Sequence, residues 1–346
     1  MHPFLLAGFV SVLGLGTTLT FSSSHWFLAW MGLEMNTLAI LPLMVWKHHP
    51  RSVEAATKYF LTQATAAALL LFASMTNAWL VGEWSVNELA HPVAAVVVLF
   101  ALALKMGLAP LHFWLPEVLQ GLPLGVGLIL STWQKLAPFV LLVQVAPLVS
   151  PHLLLGLGLT SVVIGGWGGL NQTQLRKILA YSSIAHLGWM AMIVQFMPSV
   201  AVLALFLYVA MTSTIFLAFS LFSCVDLNSL ADSWAKSSVL AGMLVLALLS
   251  LGGLPPLSGF MPKWLVINEM VMQGFMLSAM IAAFSALLSL YFYLRVCYVV
   301  SLTSSPKMVK VISLRFSSLS NYPFMAVMFV LGFGVLPLTP IFSCLV

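Results

Sequence analysis

Four ionisable side chains, Glu34, Lys105, Lys135 and Lys263, stand inside segments otherwise as apolar as a lipid tail. Each such group near a bilayer centre costs roughly 2.5 to 3.5 kcal/mol on insertion scales, so four cost on the order of 10 to 14 kcal/mol before compensation. The chemistry that accounts for this burden is movement of an ion or a proton, because a dry helix bundle offers charge no other way across. Lysine suits that chemistry. Loss of water draws an amine from its usual value of about 10.4 toward neutrality, and a nearby carboxylate restores it, so displacing one partner toggles the proton. Glu34 is the one carboxylate at the middle of a span and is expected to be the counter-ion of Lys105 or its equivalent across the bundle. A static ion pair that pins helix packing is the plainer alternative, but pinning does not need three lysines against one glutamate.

Weaker polar signals surround these four. His112 falls at a proline-rich interruption, and His186 follows Ser182 by one helical turn with Tyr181 adjacent. A hydroxyl and an imidazole at that spacing share a face and can hold water. Each histidine reads equally well as a relay or as a packing residue. Ser131 and Thr132 precede Lys135 by one turn and Pro138 follows it, a pattern that predicts polar neighbours and a kink. Glu117 follows Pro116 as Lys263 follows Pro262, which leaves a role in coupling the interruptions open. Arg295, beside Tyr291 and Tyr298, is expected to snorkel to the headgroups, and Asp226, Asp232 and Glu269 to sit near helix ends. GGWGG at 165–169 follows no strand and predicts close helix approach instead of a nucleotide fingerprint. Cys224, Cys297 and Cys344 have no paired spacing, so no disulfide, zinc or iron–sulfur site is expected. With no P-loop and no haem pair either, the chain is expected to bind no cofactor of its own.

The elements that position these residues follow from composition. Of 346 residues 62% are hydrophobic and 6% charged, with a mean hydropathy of +1.09, where a soluble domain carries about a quarter charged residues. The fold class is an all-α polytopic membrane protein. A net charge of +5 from only 13 basic residues, with no dense patch, excludes a nucleic-acid partner. The apolar start lacks a basic leader and reads as the first membrane helix. Windows of roughly 20 apolar residues predict eleven transmembrane helices, among them a fourth at 93–115, a fifth at 122–147, a seventh at 175–197, a ninth at 238–272 and an eleventh at 323–343. Lys47, Arg51, Arg176, Lys177, Lys236, Lys307, Lys310 and Arg315 all fall in loops of one face, and Glu83 and Glu88 on the other. The positive-inside rule then puts the amino terminus inside and the carboxyl terminus outside.

The fourth and ninth spans are interrupted alike. Gly107, Pro110 and Pro116 are matched 146 residues later by Gly253, Pro256 and Pro262. This offset maps helices 1 to 5 onto 6 to 10, and an odd number of helices makes the second copy inverted, the mark of secondary transporters with sites near the midplane. The expected domains are 1–147 and 148–300, two inverted five-helix repeats with broken helices 4 and 9, and 301–346, a polar loop with a last helix.

KMGLAPLHFWLPEVLQGLPLGVGLILSTWQKLAP (105–138), NQTQLRKILAYSSIAHLGWM (171–190) and LSLGGLPPLSGFMPKWLV (249–266) closely resemble the antiporter-like membrane subunits of respiratory complex I. The resemblance covers nearly the whole chain. It implies that Glu34 and Lys105 form the modulating ion pair, that Lys135 is the central proton-loading lysine and Lys263 the lysine of the second broken helix. It further implies proton translocation coupled to NADH:ubiquinone oxidoreduction, with NADH, FMN, iron–sulfur clusters and ubiquinone on other subunits. Other membrane-arm subunits and phospholipids, with cardiolipin a candidate, are the implied partners. The implied location is the mitochondrial inner membrane, amino terminus in the matrix and carboxyl terminus in the intermembrane space. Eleven helices against about fourteen in bacterial relatives match the shortened vertebrate form. A sodium/proton antiporter subunit would share the lysines but exchange ions without NADH and quinone. A purely structural subunit would tolerate their replacement.

Overall fold

A backbone surrounded by hydrocarbon must satisfy its own polar groups, and helices do so within a single segment. In the computed structural model, residues 3–46, 48–231, 233–302, 326, 327, 329, 330 and 333 are described. Among them two isolated bridges, His25 with Ser85 and Gln174 with Asp226, are the only extended pairings. The helices are α1 (Pro3–Ser22), α2 (Trp26–Val45), α3 (Pro50–Val81), α4 (Pro92–Met106), α5 (Trp114–Gly121), α6 (Leu124–Ser131), α7 (Trp133–Val145), α8 (Pro151–Gly168), α9 (Leu175–Ile193), α10 (Pro198–Phe222), α11 (Leu227–Leu230), α12 (Ser233–Lys236), α13 (Ser238–Gly252), α14 (Phe260–Met272) and α15 (Met276–Leu302). Proline opens α3, α4 and α10, where its missing N–H is no loss. Two histidines act as caps: His25 Nδ1 accepts from Phe27 N at 3.2 Å and His49 Nδ1 from Arg51 N at 3.3 Å.

Among the described residues seven helical stretches are long and apolar enough to cross a membrane, one of them Leu124–Leu148, which takes in α6 and α7; this is a multi-pass membrane protein. Of the expected eleven spans, the fourth and ninth are the broken ones, and the structure shows both breaks. The fourth is two helices, α4 and α5, and the ninth is α13 and α14, because glycine and proline stop each helix part-way. Fifteen residues of α4 or α13 reach only about 22 Å at 1.5 Å per residue, against a hydrocarbon core of about 30 Å. The fifth span is broken at Thr132 into α6 and α7. The seventh, α9, is not one of the seven; Arg176, Lys177, Tyr181, Ser182, Ser183 and His186 dilute its apolar character. Lys307, Lys310, Arg315 and Cys344, and most of the eleventh span and the 301–346 segment, lie outside the described residues.

The two interruptions share their form. α4 and α13 are each 15 residues long and begin and end 146 residues apart, as do the starts of α5 and α14. Gly107 (φ 80°) and Gly253 (φ 82°) close the first halves in the left-handed region, where a Cβ would be strained.

The chain divides into two compact units, Met1–Ser161 and Val162–Val346, a division that falls within α8. In the first, α1 and α2 touch backbone to backbone: a Cβ on Gly16 would lie 2.9 Å from Gly32 O, and one on Gly32 2.8 Å from Gly16 O. α3 packs on α2, α4 and α5, and α7 on α4, α1 and α2. In the second unit α9 is the central element, with 15 of its 19 residues buried against α10, α14 and α15. The glycines of GGWGG do bring helices close, as expected. Gly165 faces the backbone of Ala185, Gly168 the ring of Tyr181 and Gly169 the ring of Phe292.

Candidate functional site

The first unit gathers its polar residues around a chamber of about 360 Å³ of atom-free space, counting its open mouth. Asn36 and Thr37 of α2, Tyr59 and Gln63 of α3, Lys105 of α4, Trp114 of α5 and Gln134 and Lys135 of α7 line it. Lys105 occupies the last turn of α4 and is buried, where free carbonyls favour a cation. One of these, Leu104 O, is taken by Trp114 Nε1 at 3.1 Å. Lys105 Nζ has no hydrogen-bond partner, and neither does the buried Oε2 of Glu34. Glu34 lies within coulombic range of Lys105 and of Tyr59. The expected pair is therefore not in hydrogen-bond contact. Lys135, 2% exposed, follows the break at Thr132 by three residues. Pro138, inside α7, withholds a donor from the carbonyl of Gln134. Gln134 Nε2 donates to Asn36 O at 3.2 Å, tying the lysine's neighbour to α2.

The first break holds its own backbone together. Ser161 Oγ of α8 accepts from Ala109 N at 2.9 Å, and Thr160 Oγ1 donates to Ala109 O at 3.4 Å. His112 is buried in this break with its ring 4.4 Å from that of Phe113, and its Nδ1 has no hydrogen-bond partner. It is not among the residues around the chamber.

In the second unit Lys263 reaches back from α14 to the end of α13. Its Nζ donates to Leu251 O at 3.1 Å and Gly252 O at 2.8 Å. An ammonium has three hydrogens, so one is left for the adjoining cleft, which Lys263 shares with His186, Trp189, Tyr208 and Met211. His186 and Ser182 do share a face, but Tyr181 is turned away to Gly168. Two phenols that the sequence did not single out complete the cluster. Ser182 and Ser183 donate to the carbonyls of Leu179 and Ala180, and each is also in hydrogen-bond contact with a phenol, Tyr293 and Tyr208 respectively. Tyr293 Oη also lies 3.5 Å from His186 Nε2, so the phenol bridges the serine and the imidazole. The clue available was a tyrosine inside an apolar span, since a buried phenol seeks a partner.

Arg295 does not simply snorkel: its guanidinium donates to Leu170 O at 2.6 Å, beyond the end of α8. Glu117 turns outward to Lys58, at 2.7 Å, and Lys58 also meets Glu54 at 2.8 Å. Lys58 carried no recognisable signal, because a lysine near a helix start usually reaches solvent.

Known proteins resemble this chain in sequence and in fold. Residues 23–289 match the family described as "NADH:quinone oxidoreductase/Mrp antiporter, TM" and residues 290–343 that described as "NADH dehydrogenase subunit 2 C-terminus". NADH-ubiquinone oxidoreductase chain 2 of Salmo salar is 62% identical, over 98% of both chains. The protein of the same name from Squalus acanthias is 59% identical over 98% of both. A chain in a structure titled respiratory complex I from Thermus thermophilus with bound Aureothin superposes with a TM-score of 0.82 at 32% identity, covering 97% of this chain and 80% of that one. Match along nearly the full length, in sequence and in fold, places the chain in the NADH-ubiquinone oxidoreductase chain 2 family.

Proposed function

We propose that this chain is a membrane-arm subunit of respiratory complex I that takes part in proton translocation, while NADH, FMN, iron–sulfur clusters and ubiquinone are handled by other subunits. Lys135 is the proton-loading group of the first unit, Glu34 and Lys105 modulate it by charge, and Lys263 is the relay of the second unit. The two histidines have separate parts: His186, facing Lys263 across one chamber, exchanges protons with it, and His112 serves the backbone break. Residues 1–147 and 148–300 act as inverted five-helix repeats, each broken once. The subunit sits in the mitochondrial inner membrane, amino terminus in the matrix, with other membrane-arm subunits and phospholipids including cardiolipin around it.

The observation that carries this reading is the burial of three lysines at helix interruptions, each 8% exposed or less. Burial of an amine is unfavourable for a scaffold, and a scaffold gains nothing from three. Moving a proton against 100 mV takes about 2.3 kcal/mol, a size that one charge-assisted hydrogen bond made or lost supplies. The test uses the assembled complex in sealed vesicles. Lys135→Met and Lys263→Met should assemble and lower the protons moved per NADH; normal stoichiometry in both excludes these lysines as carriers and leaves a structural subunit.

A further inference from the structure

Arg295 carries a charge that the chain around it leaves unanswered. The residue is half-buried on α15, and a guanidinium stays charged at every working pH. Nη1 donates to Leu170 O at 2.6 Å, but a carbonyl is neutral, and among the described residues Arg295 makes no ion pair. A guanidinium has five N–H donors in a planar fork, so most of this fork is still open. Partial loss of water is unfavourable for a cation unless an anion answers it. Neighbouring charge has the same sign. Arg176 and Lys177 open α9 a few residues past Leu170, while Asp226, whose backbone pairs with Gln174, serves the capping box of α11.

The level and the company of this cation decide which anion fits. α8 has 18 residues and so rises about 27 Å at 1.5 Å per residue, close to the thickness of a hydrocarbon core. Leu170 lies just past its end, at the membrane boundary, and holds Arg295 at that level. The seam beneath is tight: a Cβ on Gly166 would lie 3.1 Å from Leu288 Cβ, and one on Gly169 would meet the ring of Phe292 at 2.7 Å. Large amphipathic rings face outward beside it, Trp167 at 71% exposed, Tyr291 at 59% and Tyr298 at 58%. Tyr291 and Tyr298 stand one turn to either side of Arg295. Indole and phenol favour the layer between hydrocarbon and water, so this edge has the character of a lipid-facing surface. The anion available in that layer is a phosphodiester, whose oxygens match the guanidinium fork with two parallel hydrogen bonds. A headgroup with no cation of its own neutralises Arg295, whereas choline or ethanolamine brings a competing charge.

We propose that Arg295, flanked by Tyr291, Tyr298 and Trp167, is the seat of one anionic phospholipid: the guanidinium holds the lipid phosphate, and Leu170 O holds the guanidinium. The proposal rests on the reading that phospholipids surround this subunit, and it gives one of them a place. Its test uses the assembled complex in nanodiscs that contain phosphatidylglycerol with a photoreactive group in its headgroup, and labelled peptides are read by mass spectrometry. Label should fall on residues 167–172 and 288–298. Unlabelled phosphatidylglycerol should displace it several-fold better than phosphatidylcholine, and inorganic phosphate should not displace it. Arg295→Gln should lose the label several-fold, and Arg295→Lys, which keeps the charge, should recover part of it. A packing role alone does not tell one headgroup from another, so should Arg295→Gln fail to assemble, competition in the unaltered complex decides. Equal displacement by phosphatidylcholine, or displacement by inorganic phosphate, overturns the anionic lipid. Label elsewhere on this chain with none on these two segments means that a carboxylate of a partner subunit answers Arg295; it overturns the site and leaves the lipid surroundings standing. No label anywhere on the chain removes the reading beneath it.

Discussion

Gly253→Ala reaches Lys263 without altering it. Gly253 sits at φ 82°, so any Cβ there carries strain of about 1–2 kcal/mol. The new methyl would also lie 3.0 Å from both Cδ and Nζ of Lys263, closer than ordinary contact allows. The lysine must therefore give by some tenths of an ångström, and its bonds to Leu251 O and Gly252 O, now 3.1 and 2.8 Å, lengthen and weaken. Hydrogen bonds to charged groups contribute roughly 1.5–3 kcal/mol each, so losing the better part of one changes the lysine's proton equilibrium by about tenfold. The control is Gly107→Ala. Its φ of 80° imposes the same strain, yet its methyl meets only the flexible tip of Leu115 at 2.9 Å and Trp114 at 3.5 Å. Both variants of the assembled complex should lose similar thermal stability. NADH-driven acidification of sealed vesicles, measured beside the electron-transfer rate, should fall on the order of tenfold in Gly253→Ala alone. Equal pumping in the two refutes the idea that the carbonyl seat of Lys263 matters to transfer.

Other perturbations separate structure from chemistry. Gly32→Val should force α1 from α2, since even a Cβ comes within 2.8 Å of Gly16 O; assembly monitored by native electrophoresis should fail, whereas Gly14→Ala, with nothing within 4 Å, should assemble normally. Arg295→Met strips the donor from Leu170 O and should cost about 1.5–3 kcal/mol, seen as a lower melting temperature with protons per NADH unchanged. Lys58→Met breaks contacts whose side chains are 43% to 63% exposed, so it should leave the melting temperature nearly unchanged, and pumping should stay intact.

Much of this was legible because bilayer chemistry makes polar residues conspicuous. Glu34, Lys105, Lys135 and Lys263 stood out against apolar surroundings, and the structure places two of them, Lys105 and Lys135, on one chamber and Lys263 with His186 on another. The interruptions were visible as glycine and proline, and their left-handed glycines follow directly. What escaped were partnerships fixed by packing. Tyr293 lies 107 residues from His186, and Gln63 looks like any polar residue on a long helix until its burial is known. The break before Lys135 is sharper than a proline kink. Pro138 drew attention as a kink, but the helix is interrupted at Thr132, where Ser131 Oγ and Thr132 Oγ1 both donate to Leu128 O and compete with the backbone for the same carbonyl.

The two interruptions put charge on opposite sides of one backbone design. In the first, the lysine belongs to the closing turn of α4, and the residue after the second proline is Glu117, which points outward to Lys58. In the second, the closing turn ends in Leu251 and Gly252, and the lysine comes from beyond the proline to bind their carbonyls. The end of a stopped helix always leaves carbonyls that need donors. Lys263 supplies two of them and so is held; Lys105 is part of such an end, faces Glu34 only at a distance, and is free to respond to it. A carrier whose amine is anchored keeps its position while its third hydrogen exchanges, and one whose amine is unanchored answers to a change in a neighbouring charge. Exchanging these roles is the decisive perturbation. Glu34→Gln acts on the proton equilibrium of the first unit and Gly253→Ala on that of the second, so the two should move the pH profile of pumping differently. A single shared pH profile for both variants is incompatible with this division of labour.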